Sequence, residues 1–174
     1  NARTIDEPTC KYIGVITGKN SGTITNCSVT NSRINTTYDA KGYYGIISSI
    51  SPGYIINSFT QNDTINMLNE AYYCGFITST VNGRILNCYS HKNSFSGKSS
   101  SNSDRNGCIA GGSSDTKNQV IANCYIYHRQ KNSNWGAIIG RAKDILIQSV
   151  FYNKENVYFD KNGSNITIEN DHLY

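Results

Sequence analysis

Five glycines recur along this chain at near-constant spacing: Gly14, Gly45, Gly75, Gly107 and Gly136 lie 31, 30, 32 and 29 residues apart. With 15 Gly in 174 residues, chance does not produce such regularity. The segments around them align as "YIGVITGKNSGTITNCSVT", "YYGIISSISPGYIINSFTQ", "YCGFITSTVNGRILNCYSH", "NGCIAGGSSDTKNQVIANCYIY" and "WGAIIGRAKDILIQSVFY". Self-similarity on this scale marks an array of stacked structural units.

The aligned columns carry a physical pattern. Two residues past each glycine stand Ile16, Ile47, Ile77, Ile109 and Ile138, and the next apolar column reads Ile24, Ile55, Ile85, Ile121 and Leu146. Twelve residues after the glycine come Asn26, Asn57, Asn87 and Gln148; the fourth repeat takes 16 to reach Asn123, which places a four-residue insertion within 113–119. Each unit reads as three short strand-like runs bounded by Gly, Asn and Ser. A unit of this size cannot bury its own apolar face, so it must coil onto its neighbours at a strand spacing of about 4.8 Å.

The expected fold is therefore all-β: a single-stranded parallel β-solenoid, a right-handed β-helix of about five rungs of about 30 residues. It forms a single domain over 1–174, with rungs at about 12–41, 42–71, 72–104, 105–133 and 134–159, and a C-terminal strand or cap over 160–174. Within that cap "NITIEN" reads as a last strand over the open end, and "SGKSSSNSDRN" before rung four reads as a polar loop. Helical repeats are excluded by the Gly-, Thr- and Ile-rich windows, and a propeller blade needs roughly 40 residues and four strands.

The motif resembles the GLUG-type repeat, a Gly-rich unit of bacterial surface and secreted proteins. "GVITGKNSGTITNCSV" matches it closely and "GFITSTVNGRILNCYS" more loosely, and the resemblance covers roughly residues 12 to 152. It implies a β-solenoid with a stalk, adhesin or surface-display role and brings no catalytic residues. The chain departs from the motif in the rung-four insertion, in rung five's loss of the Asn-Cys pair, and in its richness in Tyr.

The repeat supplies a structural reading for most residues that would otherwise suggest chemistry. Asn26, Asn57, Asn87, Asn123 and Gln148 form one column, read as a ladder at a bend, because stacked Asn side chains bond along the fibre and Asn tolerates left-handed backbone. Cys27, Ser58, Cys88, Cys124 and Ser149 form the next, read as a small packed column, since a free Cys behaves as a small apolar residue. Cys27 and Cys88 are two rungs apart, too far for a disulfide. His91, His128 and His172 share no column with any Cys, which argues against a thiol nucleophile, and no Cys or His spacing fits a zinc site. Five N-glycosylation sequons occur, as composition alone would produce with 23 Asn.

Two groups remain as candidates for activity. Eight residues after the glycine, rungs one to three have Gly22, Gly53 and Gly83, and rungs four and five have Asp115 and Asp144. Two acids on adjacent rungs would stand near the carboxylate separation of a retaining glycosidase, although Gly and Asp are also both turn residues. Aromatic columns are the second group: Tyr89 with Tyr125, and Tyr127 with Tyr152, are candidates for stacking on a glycan. Tyr12, Tyr43 and Tyr73, two before the glycine, fall by strand alternation at the edge of the core.

Composition narrows the functional classes. Charged residues are only 16% of the chain, and the net charge of +4 is scattered without a basic cluster, so no nucleic-acid partner is expected. No apolar run is long enough for membrane insertion. The opening "NARTIDEPTC" lacks an initiator Met and a signal-peptide core, and reads as a mature fragment or excised domain. The leading reading is a non-enzymatic extracellular or surface module, an adhesin, stalk or self-associating structural element, without cofactor or metal. Alternatives are a carbohydrate-binding or carbohydrate-cleaving β-helix of tailspike or lyase type, and a structural subunit of a virion or extracellular filament. The partners implied are further copies through the solenoid ends, and a glycan or other host-surface ligand.

The two paired columns make a direct test. Cys27→Ser is expected to leave the midpoint of chemical denaturation unchanged, whereas Asn26→Leu lowers stability by roughly 1 to 3 kcal/mol through lost ladder bonds and turn strain. A larger loss from the cysteine change than from the asparagine change would overturn the assignment.

Overall fold

Each anchor glycine sits in a bend that has no room for a side chain. In the computed structural model a Cβ placed on Gly14, Gly45, Gly75, Gly107 or Gly136 would fall on the carbonyl oxygen three residues further on, from Thr17, Ser48, Thr78, Ala110 and Ile139 respectively. The next rung closes the other side: at Gly45 the amide nitrogen of Ser79 would lie 2.7 Å from the added carbon. The recurring glycine is thus the point where two strands of one coil fold against each other.

The structure describes residues 4–6, 11–36, 42–67, 71–97, 105–114, 118–128, 136–152, 166–169 and 172–173. They form a β-solenoid in which every strand pairing is parallel. Rung one has five strands rather than the three read from sequence: Tyr12–Gly14, Thr17–Lys19, Thr23–Thr25, Ser28–Thr30 and Arg33–Thr36. Each founds one of five sheets, numbered here in that order. Such short strands blur the period-2 pattern, so adjacent ones merge when only sequence is available.

Register between rungs follows the alignment closely. In the first sheet Gly14 pairs with Gly45 and Gly45 with Gly75, then Gly75 with Gly107, and Gly107 bridges to Gly136. In the third, Ile24, Ile55, Ile85 and Ile121 stack in line. Beyond rung five, Ile166–Glu169 pairs with Ile145–Gln148 and His172–Leu173 with Phe151–Tyr152, so the last segment starts a further coil. At the other end Thr4–Asp6 pairs with the rung-one strand of the fifth sheet.

The core runs along the axis as stacked columns. Ile55, Ile85, Ile121 and Ile147 fill it from the third sheet, and Ile34, Ile65 and Phe95 from the fifth. At the glycine bend two consecutive residues are buried, as in Ile46 with Ile47 and Phe76 with Ile77. Phe76 stacks on Phe95 with ring centroids 4.3 Å apart, joining the bend to the far wall.

Rung five departs from the aligned spacing by one residue. Ile147, not Leu146, pairs with Ile121, and Gln148 pairs with Ala122. The extra residue is accommodated near Lys143, whose N–H donates to the Ser113 hydroxyl and whose carbonyl accepts from it. Every rung-five residue after that point therefore falls one column away from its sequence assignment.

Gly45→Ala is expected to cost about 3 kcal/mol or more, because rigid backbone occupies the site on two sides. Gly22→Ala, with nothing within 4 Å of the new carbon, should change stability by less than about 0.5 kcal/mol. Equal effects in denaturant titrations would contradict the bend assignment.

Candidate functional site

The asparagine column takes the left-handed backbone that a bend demands. Asn26, Asn57, Asn87 and Asn123 have φ of 54°, 50°, 52° and 52°. In rung five the position belongs to Ser149, φ 50°, and not to Gln148. Among the described residues the column contains one amide bond between side chains, from Asn87 Nδ2 to Asn57 Oδ1 at 3.1 Å. Backbone conformation, more than a run of ladder bonds, is what selects Asn here. A second such column, five residues on, holds Asn31, Asn62 and Lys92 at φ of 54°, 56° and 52°.

The residue after each left-handed position does more than fill space. Cys27 Sγ, Ser58 Oγ, Cys88 Sγ and Cys124 Sγ each donate to the carbonyl two residues back, at 3.3, 2.8, 3.2 and 3.3 Å. The same atoms accept from the preceding rung: Cys27 N–H donates to Ser58 Oγ at 3.2 Å, Ser58 N–H to the Cys88 sulfur and Cys88 N–H to the Cys124 sulfur. Cys and Ser alternate because both are small and both can donate and accept. Ser149 does not belong to this column; rung five places the fully buried Val150 there.

Cys27, Cys74, Cys88, Cys108 and Cys124 are free thiols, and Cys10 lies outside the described residues. Burial pushes the Cys88 thiol up to about 11 and Cys124 higher, so neither supplies a thiolate at neutral pH.

The second turn column opens into a buried polar network. Asp63 accepts from the Ser32 N–H at 2.7 Å and the Gln61 N–H at 3.0 Å, and donates its own N–H to Asn93 Oδ1 at 2.8 Å. Asn93 Nδ2 donates to Thr60 Oγ1 at 2.7 Å and Ser90 Oγ at 2.9 Å. His128 lies 2.8 Å from the Asn93 carbonyl through Nδ1 and 3.1 Å from Ser90 Oγ through Nε2. A carbonyl only accepts, so Nδ1 carries the proton and Nε2 accepts from the serine. Ser90 and His128 have the spacing of a nucleophile and base, but they are 0% and 4% exposed and Phe76 stacks over the imidazole, so no substrate reaches them.

Of the two carboxylates aligned from sequence, the structure describes Asp144. Asp115 lies outside the described residues. Asp144, half-buried at φ 51°, stands two residues before Leu146, in register with Asn118 and Asn82 and one column from the glycines. The glycine column continues as Gln119, whose side-chain amide bonds both the N–H and the carbonyl of Ser114. No group of three metal-ligating side chains occurs among the described residues.

Two aromatic columns face outward. In the fourth sheet Phe59, Tyr89, Tyr125 and Phe151 stack in one register, with His91 and Tyr127 two positions along. Tyr152 instead pairs with Ile126 and is buried, a consequence of the rung-five shift. Phe59 and Tyr89 lie face to face at 4.4 Å, and His91 and Tyr127 are 5.3 Å apart. Tyr125 is 46% exposed and stacks on no ring among the described residues.

The other column is Tyr12, Tyr43 and Tyr73, with centroids 5.1 and 5.6 Å apart. It faces outward and not into the core: the inward positions are their neighbours Ile13, Tyr44 and Cys74. These rings lie against the second sheet, where a Cβ on Gly112 would strike the Tyr73 ring. Beside the column lies a groove of about 410 Å³ lined by Tyr12, Gly18, Lys19, Ile50, Pro52 and Asn82, which spans rungs one to three.

No family model, no curated protein and no solved structure matches this chain. No helix among the described residues is long and apolar enough to cross a membrane.

Two buried groups set a pH signature. Burial raises the Asp63 carboxyl to about 7, against two backbone N–H donors that favour its charged form. Burial lowers His128 to about 4. Below its unfolded value of about 3.8 the Asp63 contribution is intact, and it is lost as pH rises through about 7; the His128 contribution is intact above about 6.5 and lost as pH falls through about 4. Over pH of about 4 to 6.5 the two slopes oppose. Wild-type stability is expected to be nearly flat across that interval, whereas His128→Gln should lose stability as pH rises across it. Denaturation midpoints measured through the window decide, and parallel profiles for the two proteins would refute the pairing.

Proposed function

We propose that the chain is a non-catalytic, surface-displayed β-solenoid module that holds an extended neutral glycan along its fourth sheet, in the manner of an adhesin. The observation that carries the reading is the outward column Phe59, Tyr89, Tyr125 and Phe151, in which Tyr125 is 46% exposed. An exposed ring on a rigid sheet offers stacking area at little entropic cost. The surface of neutral Asn, Ser and Thr suits hydrogen bonding to hydroxyls, and the resemblance to GLUG-type repeats agrees with an extracellular or cell-surface setting.

A second reading, end-to-end self-association, has its own support. The rung-one strands of the first four sheets are terminal strands among the described residues, and Ile16 beside them is 43% exposed. Parallel strand edges of this kind accept further strands. Sedimentation across a concentration series tests it, and a strictly monomeric protein removes it.

The glycan reading is tested on a panel of immobilised neutral polysaccharides. Wild type should be retained by at least one, and Tyr125→Ala should weaken that binding about two- to tenfold without changing the thermal midpoint. Retention by none would sink the proposal, and release of shortened oligosaccharides would replace it with catalysis.

A further inference from the structure

The groove beside the tyrosine column differs in chemistry from the fourth sheet. One wall is Tyr12, Tyr43 and Tyr73, continued in rung four by Arg105. Lys19 and Ile50 of the second sheet form the floor, and their column continues through the buried Thr80 and Gly112, the latter under the Tyr73 ring, to the exposed Arg141. Pro52 and Asn82 line the other side. Cations stand at both ends. Lys11 Nζ lies 5.6 Å from the Tyr12 ring and 5.9 Å from Tyr43, while Arg105 Cζ lies 5.4 Å from Tyr73. Lys19 and Arg141, both exposed, end the floor column four rung steps apart, about 19 Å at normal strand spacing.

Among the described residues the balance of charge is one-sided. Lys11, Lys19 and Arg141 have no ion pair, and Asp144 in rung five is the one carboxylate beside the groove among the described residues. Two polar atoms of the groove columns, Thr80 Oγ1 and Asn82 Oδ1, are buried without a hydrogen-bond partner. Such atoms are costly to leave unmatched, and Thr80 is only 8% exposed.

We propose that this groove binds a linear acidic polysaccharide, one bearing carboxylates or sulfates along its length. Positive charge at the two ends of a straight stack of rungs, about 19 Å apart, matches a partner whose negative charge is distributed along a rigid chain. Single-stranded nucleic acid fits less well, because base stacking needs open ring faces and these tyrosines spend theirs on one another and on Lys11 and Arg105. An acidic peptide fits less well, because an extended peptide gains affinity by adding to a free strand edge, and the groove floor is made of strands paired on both sides in rungs two to four.

The test uses the full chain with polygalacturonate, heparin fragments, a neutral glucan of matched length, oligo(dT) and poly-glutamate, followed by calorimetry. Polygalacturonate or heparin should bind, more weakly as ionic strength rises, and the preferred one distinguishes carboxylate from sulfate. Lys19→Glu combined with Arg141→Glu, both on exposed side chains, should cut that affinity at least about tenfold while the thermal midpoint stays put. Tyr125→Ala should leave it unchanged, so this site and the neutral-glycan face stand or fall separately. Binding of neither acidic glycan, tighter binding of oligo(dT) or poly-glutamate, or undiminished binding by the double variant would overturn the proposal.

Discussion

Parallel hydrogen bonding between successive coils holds this molecule together, and it depends on the anchor glycines. The first two strands of each coil can fold back on each other only where the bend has no side chain, since carbonyl oxygen and neighbouring amide fill the space a Cβ would take. Every other register follows from that point. With Gly14, Gly45, Gly75 and Gly107 in line, the isoleucines of the third sheet and the rings of the fourth fall above one another without further instruction. The coil length from bend to bend varies by a residue or a short insertion, yet register with the neighbouring rung is regained on the far side, as Ser113 pairs with Val81 and Val120 with Arg84.

The interior is not uniformly apolar. Thr60, Asp63, Ser90, Asn93 and His128 are buried among isoleucines and phenylalanines, yet their polar groups are matched by one another and by backbone. A buried polar network of this type is tolerable only when complete. On the outer faces the two aromatic columns differ in kind: one includes the exposed Tyr125, the other is a stack of tyrosines flanked by Lys11 and Arg105.

The glycine period and the Asn-Cys pair were readable because each column must satisfy one demand in every rung: no side chain, left-handed backbone, or a small donor-acceptor. Rung five misled because a single added residue near Lys143 carries no signal of its own, and it moved Gln148, Ser149 and Tyr152 out of their assigned columns. The Asn31, Asn62 and Lys92 column was legible in principle, since each follows the first left-handed column by five residues, but Lys92 breaks the residue type. The tyrosines two before the glycine were placed at the core edge on strand alternation, whereas burial of Ile13, Tyr44 and Cys74 fixes the opposite phase. The polar network had no sequence signal, because Thr, Ser and Asn in alternating strands ordinarily read as the solvent side.

Between rungs, the bonds from backbone N–H to side chain at the two turn columns have a direction. Cys27 N–H is received by Ser58, and Ser32 N–H by Asp63, whose own N–H is received by Asn93. In each case the donor belongs to the earlier rung and the acceptor to the later one. Emerging from a ribosome, every coil therefore presents open amides until its successor has been made. Completion of the structure trails synthesis by one rung, and a substitution in one turn is felt first by the coil that was made before it.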